Sequence, residues 1–470
     1  MQTVADTSQN ALADPALLDR LAKTLPAQAL VIGDAMDARY WEDRRGRFSA
    51  HPRFVLRPGS TAEVATALAA CNDFGQRLVV QGGRTGLSGG HRIAVGEAVL
   101  SLERLTALEA VHQTNATLIA SAGTPLQRVQ EAADAAGYLF GVDIGARGTA
   151  TIGGNIATNA GGIRVLRYGM FRAQVAGLET VLADGTILSS LRGLDKDNTG
   201  YDLNQLFIGS EGTLGVVTRA LLRLHPKPFS ETNAFLAVPS FAAALALLAR
   251  LRAAMGNALS AFELMLPAAY EGVTDFLGMP HPLATTAPFY VLTEVQAARD
   301  DNTADAFMAC LMTALEDGIA TDAVISQSQR EFQALWTMRD SCADYIRSLD
   351  QIASGDISVP IQNMAAFLDA SQTALRAIDP ATEFIVFGHL GDGNLHYVIR
   401  TPQGYDAMAK VYHLVAEHGG SISAEHGIGI DKKPWLPLSR STAEIATMRR
   451  LKTALDPNGI LNQGRIFDLV

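Results

Sequence analysis

The stretch Gly141-Val-Asp-Ile-Gly-Ala-Arg-Gly-Thr-Ala-Thr-Ile-Gly-Gly-Asn-Ile-Ala-Thr-Asn-Ala-Gly-Gly162 constrains this chain more than any other. It combines small residues, hydroxyls and side-chain amides with almost no bulk. A structural loop seldom needs all of these together. A large flat polar ligand pressed against backbone does, because each buried donor or acceptor on a ring system must find a partner. An earlier stretch has the same texture. The short apolar run Arg77–Val80 leads straight into Gln81-Gly-Gly-Arg-Thr-Gly-Leu-Ser-Gly-Gly90, five glycines in ten residues. Glycine lets backbone amides approach an anion closely, and Thr85 and Ser88 add hydroxyl donors, so this reads as a diphosphate cradle, with a plain turn as the bland alternative. A third glycine-rich turn, Leu206–Val217, lies between apolar runs. No GxGxxG follows a strand and no GxxxxGK[ST] occurs, which disfavours a dinucleotide-binding Rossmann domain and a P-loop NTPase.

The chain is long enough, at 470 residues, for two or three domains and a large core. A net charge of −10 argues against nucleic acid or an anionic membrane as main partner. No apolar run reaches transmembrane length, and Met1-Gln-Thr-Val-Ala-Asp lacks the basic and apolar regions of a secretory signal. Cys71, Cys310 and Cys342 are scattered, form no CxxC pair, and read as small buried hydrophobes; a reduced cytoplasmic setting is the expectation.

Along the chain, residues 11–25 read as a helix with the stripe Leu12, Leu17, Leu18, Leu21 and Leu25, stopped by Pro26. Ser60-Thr-Ala-Glu63 resembles a capping box opening the helix Val64–Phe74. Val99–Leu102 and Leu118–Ser121 are strand-like, Pro125–Ala136 is helical, and Leu178–Leu188 reads as a hairpin turning at Asp184-Gly185. From about residue 230 the texture changes: strands Phe235–Val238, Ala261–Leu266 and Phe289–Val295 alternate with helices Phe241–Met255 and Asp305–Leu315 without glycine-rich loops. A single helix, Gln329–Leu349, carries Trp336, Arg339 and Asp340. The strand Asp356–Pro360 and the helix Met408–His418 follow.

Near the C-terminal end, Phe384-Ile-Val-Phe-Gly-His-Leu-Gly-Asp-Gly-Asn-Leu-His-Tyr-Val-Ile399 reads as strand, tight turn, strand. His389 and His396 fall near the mouth of that hairpin, where their imidazoles can converge. Glu425 and His426 come some thirty residues later. Two histidines and a carboxylate can hold a divalent metal and leave a position open. Either histidine alone would more often be an ordinary surface or core residue.

Taken in order, Gln81–Gly90, Thr151–Gly162, Gly209–Gly215, Gly388–His396 and Ala424–Gly427 resemble the FAD-linked oxidases with the vanillyl-alcohol-oxidase type of flavin domain. Within that family the chain is similar to the D-2-hydroxyacid dehydrogenases, over residues 50 to 466. The resemblance implies an α+β chain: an N-terminal extension (1–50), a split FAD-binding domain (51–228), an α+β cap with the metal hairpin (229–405), and a C-terminal segment (406–470) closing the site. It implies non-covalent FAD along Gln81, Gly82, Gly83, Arg84, Thr85, Gly86, Leu87 and Ser88. Further flavin contacts are implied at Asp143, Gly148, Thr149, Ile152, Gly153, Gly154, Asn155, Thr158, Asn159 and Gly161, and at Glu211, Gly212, Val217 and Asn462. It implies a divalent metal, zinc foremost, at His389, His396 and Glu425, with His426 as general base. Arg339 would hold the substrate carboxylate, its bland alternative being a surface ion pair with Asp340. The acceptor of the electrons would be a quinone, a cytochrome or an electron-transfer flavoprotein, and a homodimer is the candidate assembly.

The resemblance is uneven. Residues 141–228 look most like D-2-hydroxyglutarate dehydrogenases, yet three polar positions of that subfamily are Ala343, Ser354 and Val398 here. Losing polar partners costs discrimination for a dicarboxylate, so a D-2-hydroxy monocarboxylate such as D-lactate is the expected substrate. The rival readings are a D-2-hydroxyglutarate dehydrogenase, a zinc hydrolase using the same histidines and Glu425, and a non-catalytic flavoprotein subunit.

Overall fold

The structure is a computed structural model that describes residues 13–43, 46–299 and 301–469. Leu12, at the start of the first apolar stripe, lies outside them. The helix itself runs Pro15–Thr24, capped by the Asp14 side chain, and buries Leu17 and Leu21.

Among the described residues, three of the four sheets organise the chain, the fourth being a two-stranded pair of Tyr138–Leu139 with His225–Pro226. The first has the strand order Leu30–Val31, Val55–Leu56, Ala98–Ser101, Leu78–Gln81, and the last three are parallel. Strands buried on both faces read as continuous apolar runs, as Leu78-Val-Val and Ala98-Val-Leu do. The helix Thr61–Asp73 covers them with Val64, Ala67, Leu68 and Cys71. Its cap differs slightly from the expected box. Ser60 Oγ accepts from Glu63 N at 3.2 Å, but the Glu63 carboxylate reaches back to Gly59 N at 2.7 Å. The second sheet is antiparallel, in the order Thr117–Ser121, Val216–Arg223, Val175–Val181, Ile187–Ser189. The Asp184-Gly185 hairpin forms as expected.

The third sheet has seven strands, in the order Asp322–Ile325, Ser230–Val238, Phe289–Ala297, Leu259–Met265, Glu383–Gly388, Asn394–Arg400, Ile352–Ser358. Side chains alternate across it. Leu264, Val386, Leu395, Tyr397 and Ile399 face one core, packed with Phe241–Met255, Thr303–Glu316, Met364–Ile378 and Gly404–Glu417. The other face carries Phe235, Ala261, Ile385, Phe387 and Val398 under the helices Pro267–Leu277 and Gln329–Asp340. That second face also holds Glu263, Glu294 and Asp356, all 2% exposed or less. Acidic groups so deep in a sheet must be paired.

Gln329–Leu349, expected as a single helix, is two: Gln329–Asp340 is followed by Cys342–Arg347, with a break at Ser341. The sequence has no Gly or Pro there. Tertiary packing decides the break, because Arg339 turns inward to the sheet while Tyr345 lies against Gly272 and Phe276 of the neighbouring helix.

Among the described residues no helix is long and apolar enough to cross a membrane. All three cysteines are free, with Cys71 and Cys342 buried.

Candidate active site

The hairpin Glu383–Gly388 and Asn394–Arg400 delivers two histidines to one point. Positive φ at Gly393 (84°), closing the short 3-10 turn Leu390–Asp392, sends the chain back sharply enough to pair Phe387 with His396. The rings of His389 and His396 then stand 5.2 Å apart and nearly perpendicular. Glu425 Oε1 lies 4.0 Å from His389 Nε2, 3.9 Å from His396 Nε2 and 3.7 Å from His426 Nε2. Three imidazole nitrogens therefore converge on one carboxylate oxygen. Among the described residues, one potential metal-holding group comprises Asp356, His396, Glu425 and His426, with donor atoms all within 4.8 Å of one another. Of the expected trio, His396 and Glu425 fall in this group and His389 does not: its Nε2 lies 4.0 Å from Glu425 Oε1, while Asp356 and His426 join the group instead.

Two buried carboxylates, neither of them signalled by the sequence motifs, hold these groups from behind. Glu263, on the central strand Leu259–Met265, accepts from His389 Nδ1 at 2.6 Å and from Arg339 Nε at 2.6 Å. Burial pushes its carboxyl up, but His389 and Arg339 outweigh that and hold its pKa at about 2. Burial likewise pulls the His389 imidazole down, and the same contact overcomes it and lifts His389 to about 9. His396 Nδ1 stands farther from its carboxylate, 3.7 Å from Asp356, and burial beside His389 and Arg339 drives its pKa well below the usual value. Asp356 Oδ2 accepts from the backbone N–H groups of Glu425 and His426 at 2.8 and 2.9 Å, and its Oδ1 accepts from Asn394 Nδ2 at 2.8 Å. Burial opposes its charge, but His426, Lys432 and His396 hold its pKa far below the carboxylate range. Carboxylates behind imidazoles in this manner set tautomer and orientation in metal sites. The donor set of imidazole nitrogens and one carboxylate oxygen fits a divalent ion such as zinc.

Arg339 is buried, with its guanidinium 4.7 Å over the Phe387 ring. Its ion-pair partner is Glu263 rather than the neighbouring Asp340, which lies 3.4 Å from Arg147 instead. Among the described residues, the Glu263 bond uses Nε and not the terminal nitrogens of the guanidinium.

The two long glycine-rich stretches meet. A Cβ on Gly83 would strike the carbonyl of Thr149, and one on Gly82 would strike the Thr151 hydroxyl, so only bare backbone allows the approach. A Cβ on Gly86 or Gly148 would meet side-chain atoms alone, of His91 and Gln127 respectively, and Gly154 lies beside Gly82. Arg84 takes a left-handed φ of 55° and lays its guanidinium 5.5 Å from the Tyr40 ring centre. Thr85 and Leu87 border the same loop. Among the described residues, three buried polar atoms along this seam find no partner in the protein: Gln81 Oε1, Thr151 Oγ1 and Asn155 Nδ2. Donors and acceptors left open together beside bare backbone fit a ligand carrying both, as the flavin and diphosphate of FAD do.

The remaining expected residues divide. Gly161 touches the histidine and glutamate cluster, since a Cβ there would lie 2.7 Å from Glu425 Oε2. Ser88 donates to the carbonyls of His426 and Gly427. Asn462 Oδ1 accepts from Val80 N at 2.8 Å while its Nδ2 donates to the carbonyl of Glu211 at 2.6 Å, beside Gly212. Thr158 bonds back into its own helix, and Asn159 Oδ1 accepts from Arg172 N. The Thr149 hydroxyl donates to the carbonyl of Ala146. Ile152, Gly153 and Val217 pack in the interior. Asp143 is engaged by Arg147 and Arg164. The signal that could have found Glu263 and Glu294 is a lone acid in a mostly apolar strand, Ala261-Phe-Glu-Leu and Leu292-Thr-Glu-Val.

Residues 52–190 match the FAD binding domain family and residues 227–466 match the C-terminal domain of FAD linked oxidases. A D-2-hydroxyglutarate dehydrogenase of Xanthomonas citri pv. viticola is 41% identical over 467 residues, covering 97% of this chain and 98% of that protein. A mitochondrial protein of Schizosaccharomyces pombe with a provisional D-lactate dehydrogenase name is 35% identical, covering 95% and 86%. Among solved structures, 4-ethylphenol oxidase from Gulosibacter chungangensis superposes with a TM-score of 0.75 at 17% identity, covering 98% of this chain and 99% of that one. An alkyldihydroxyacetonephosphate synthase superposes at 0.74, with 17% identity and 96% and 86% coverage.

Proposed function

The chain belongs to the FAD-linked oxidases and, within them, to the FAD-dependent D-2-hydroxyacid dehydrogenases, and from that premise we propose that it oxidises a D-2-hydroxy monocarboxylate to the 2-oxo acid. The observation that carries the proposal is the convergence of His389, His396 and His426 on Glu425, tied through Glu263 to a buried and already oriented Arg339.

In this reading FAD lies along the seam of Gln81–Ser88 and Gly148–Gly161, bound non-covalently, and when bound it supplies the two-electron acceptor for the C2 hydrogen. His389, His396 and Glu425 hold a divalent ion, zinc foremost, which when bound supplies a Lewis acid for the substrate hydroxyl. Arg339 binds the carboxylate through its terminal fork and fixes C2 in position. His426, the most exposed of the three histidines at 26% for its side chain, takes the hydroxyl proton at Nε2. Asp356 faces its Nδ1 at 3.8 Å. Ser88 and Asp356 anchor the backbone of the base's loop, so the base stands still while it works. Electrons leave to a quinone, a cytochrome or an electron-transfer flavoprotein, and the setting proposed is the cytoplasm, with the chain as a homodimer.

The monocarboxylate is supported by the second carboxylate's missing partners. Ser354 and Val398 sit opposite each other in the sheet, and Val398 is packed among Ile385, Phe387 and Cys342. The Val398 side chain there offers a distal carboxylate no hydrogen-bond partner. The names of the relatives favour a second reading, D-2-hydroxyglutarate.

The test is the visible spectrum of metal-replete protein under anaerobic conditions, with each enantiomer of several 2-hydroxy acids. Flavin bands should bleach with D-acids only, and fastest with a monocarboxylate. Flavin that no acid bleaches would favour a non-catalytic subunit. A higher kcat/KM on D-2-hydroxyglutarate than on every monocarboxylate would transfer the assignment to the second reading.

A further inference from the structure

The family resemblance puts Glu211 at the flavin, but both of its carboxylate oxygens are taken by another loop, beside Gly90, where a Cβ would lie 3.7 Å from Oε2. Its Oε1 accepts from Ile428 N at 2.7 Å and its Oε2 from Gly429 N at 2.8 Å. Both oxygens are thus bound to the loop that carries Glu425 and His426. Its backbone is fixed on the other side: Glu211 N donates to the carbonyl of Ala157, at the end of the glycine-rich helix Ile152–Thr158, and its carbonyl accepts from Asn462 Nδ2. A left-handed φ of 52°, costly for a residue with a Cβ, aims the carboxylate at the loop. The loop is shaped to receive it. Gly427 has φ 76°, and a Cβ there would lie 2.8 Å from Glu211 Oε1. Only a glycine at that position lets the chain wrap the carboxylate and bring the next two N–H groups onto it.

We propose that Glu211 is a positioning residue that holds Glu425 and His426 in register with the glycine-rich seam, rather than a ligand of the flavin. The inference rests on the roles given above to His426 and Glu425. A glutamate at this site satisfies two backbone donors with one charged group, whereas a glutamine offers one acceptor oxygen and turns an NH2 toward the other donor. Misplacing a general base by a fraction of an ångström to 1 Å lowers turnover by about ten- to a hundredfold without changing how a distant arginine grips the carboxylate.

The experiment is Glu211→Gln in the full-length, FAD-loaded protein, with three readouts. The expected result is an unchanged flavin spectrum and FAD affinity, a zinc affinity weakened about tenfold or more by calorimetry, and a kcat lowered about ten- to a hundredfold with KM for the D-2-hydroxy acid within about threefold of wild type. Gly427→Ala presses on the same contact from the loop side. It should give the same pattern, and it serves alone if the glutamine variant does not fold. Loss of FAD with normal turnover once FAD is saturating would overturn the inference and return Glu211 to the flavin. Wild-type kcat and zinc affinity in both variants would overturn it as well. The zinc readout needs no turnover, so the two levels fail separately. Wild-type protein that binds no zinc and is reduced by no D-2-hydroxy acid would remove the dehydrogenase reading, and this inference with it. Wild-type protein that does both, matched by the variants, would remove this inference alone.

Discussion

At the scale of single residues, three carboxylates do the positioning. Glu211 binds the loop that carries His426, Asp356 binds the N–H groups of Glu425 and His426, and Glu263 joins His389 to Arg339. Glu263 and Asp356 are buried and Glu211 is half-buried, and each stabilises the fold only while its partners are in place. Glu263 gives this a measurable pH dependence. Its folded pKa of about 2 lies below the unfolded value of 4.5, so the native state releases its proton more readily than the unfolded chain. The stability it contributes is complete above about pH 4.5 and is lost as pH falls toward 2, amounting to on the order of 3 kcal/mol. Thermal unfolding of metal-free protein between pH 6 and 2.5 should show a steeper acid loss in wild type than in Glu263→Gln. Parallel curves would mean that the carboxylate is not ionised in the folded state.

At the scale of elements, one face of one sheet organises the site. The strands Ile352–Ser358, Asn394–Arg400 and Glu383–Gly388 bring Asp356, His396 and Phe387 into adjacent register. Two residues away from Asp356 and His396 on the same face stand Ser354 and Val398. Because the period of a strand is two, polar groups installed there would project beside Asp356 and His396. The double variant Ser354→Lys, Val398→Asn should therefore raise kcat/KM for D-2-hydroxyglutarate relative to D-lactate by about tenfold or more. An unchanged ratio would show that this corner of the sheet does not meet the substrate's tail. The break at Ser341 belongs to the same logic, since one straight helix could not turn Arg339 onto the sheet and also lay Tyr345 on Pro267–Leu277.

At the scale of the whole molecule, the glycine-rich seam and the seven-stranded sheet are joined through Arg164. Its guanidinium meets both oxygens of the buried Glu294 at 2.9 and 3.0 Å and Asp143 at 3.2 Å, and Trp336 Nε1 donates to Glu294 at 2.7 Å. Burial works against the Arg164 charge, but Glu294 and Asp143 more than compensate and raise its pKa. Removing one partner of such a buried pair leaves the other charge uncompensated. Arg164→Met should cost about 3–5 kcal/mol in denaturant unfolding, and adding Glu294→Gln should recover a large part of that. Additive losses in the double variant would show that the two side chains do not act as a pair.

How much of this is legible in the chain alone follows from what sequence patterns encode. The glycine-rich stretches are legible because bare backbone beside hydroxyls and amides has few uses, and the histidine-bearing hairpin is legible because glycine turns and apolar alternation are local signals. His389, His396, Glu425 and His426 stand out by residue type. The partners behind them do not, because Glu263 is 126 positions from His389 and Glu211 is 217 positions from Ile428. Alternation along a strand says which side chains share a face, but not which strand lies alongside. The strands that become neighbours are chosen by burial of apolar area across the whole cap, a sum over many weak contacts that no short window contains. The sequence by itself therefore determined the kinds of chemistry this chain can hold. Only the tertiary structure decided which carboxylate stands behind which histidine, because buried charges are tolerated only where the packed chain brings their partners within reach.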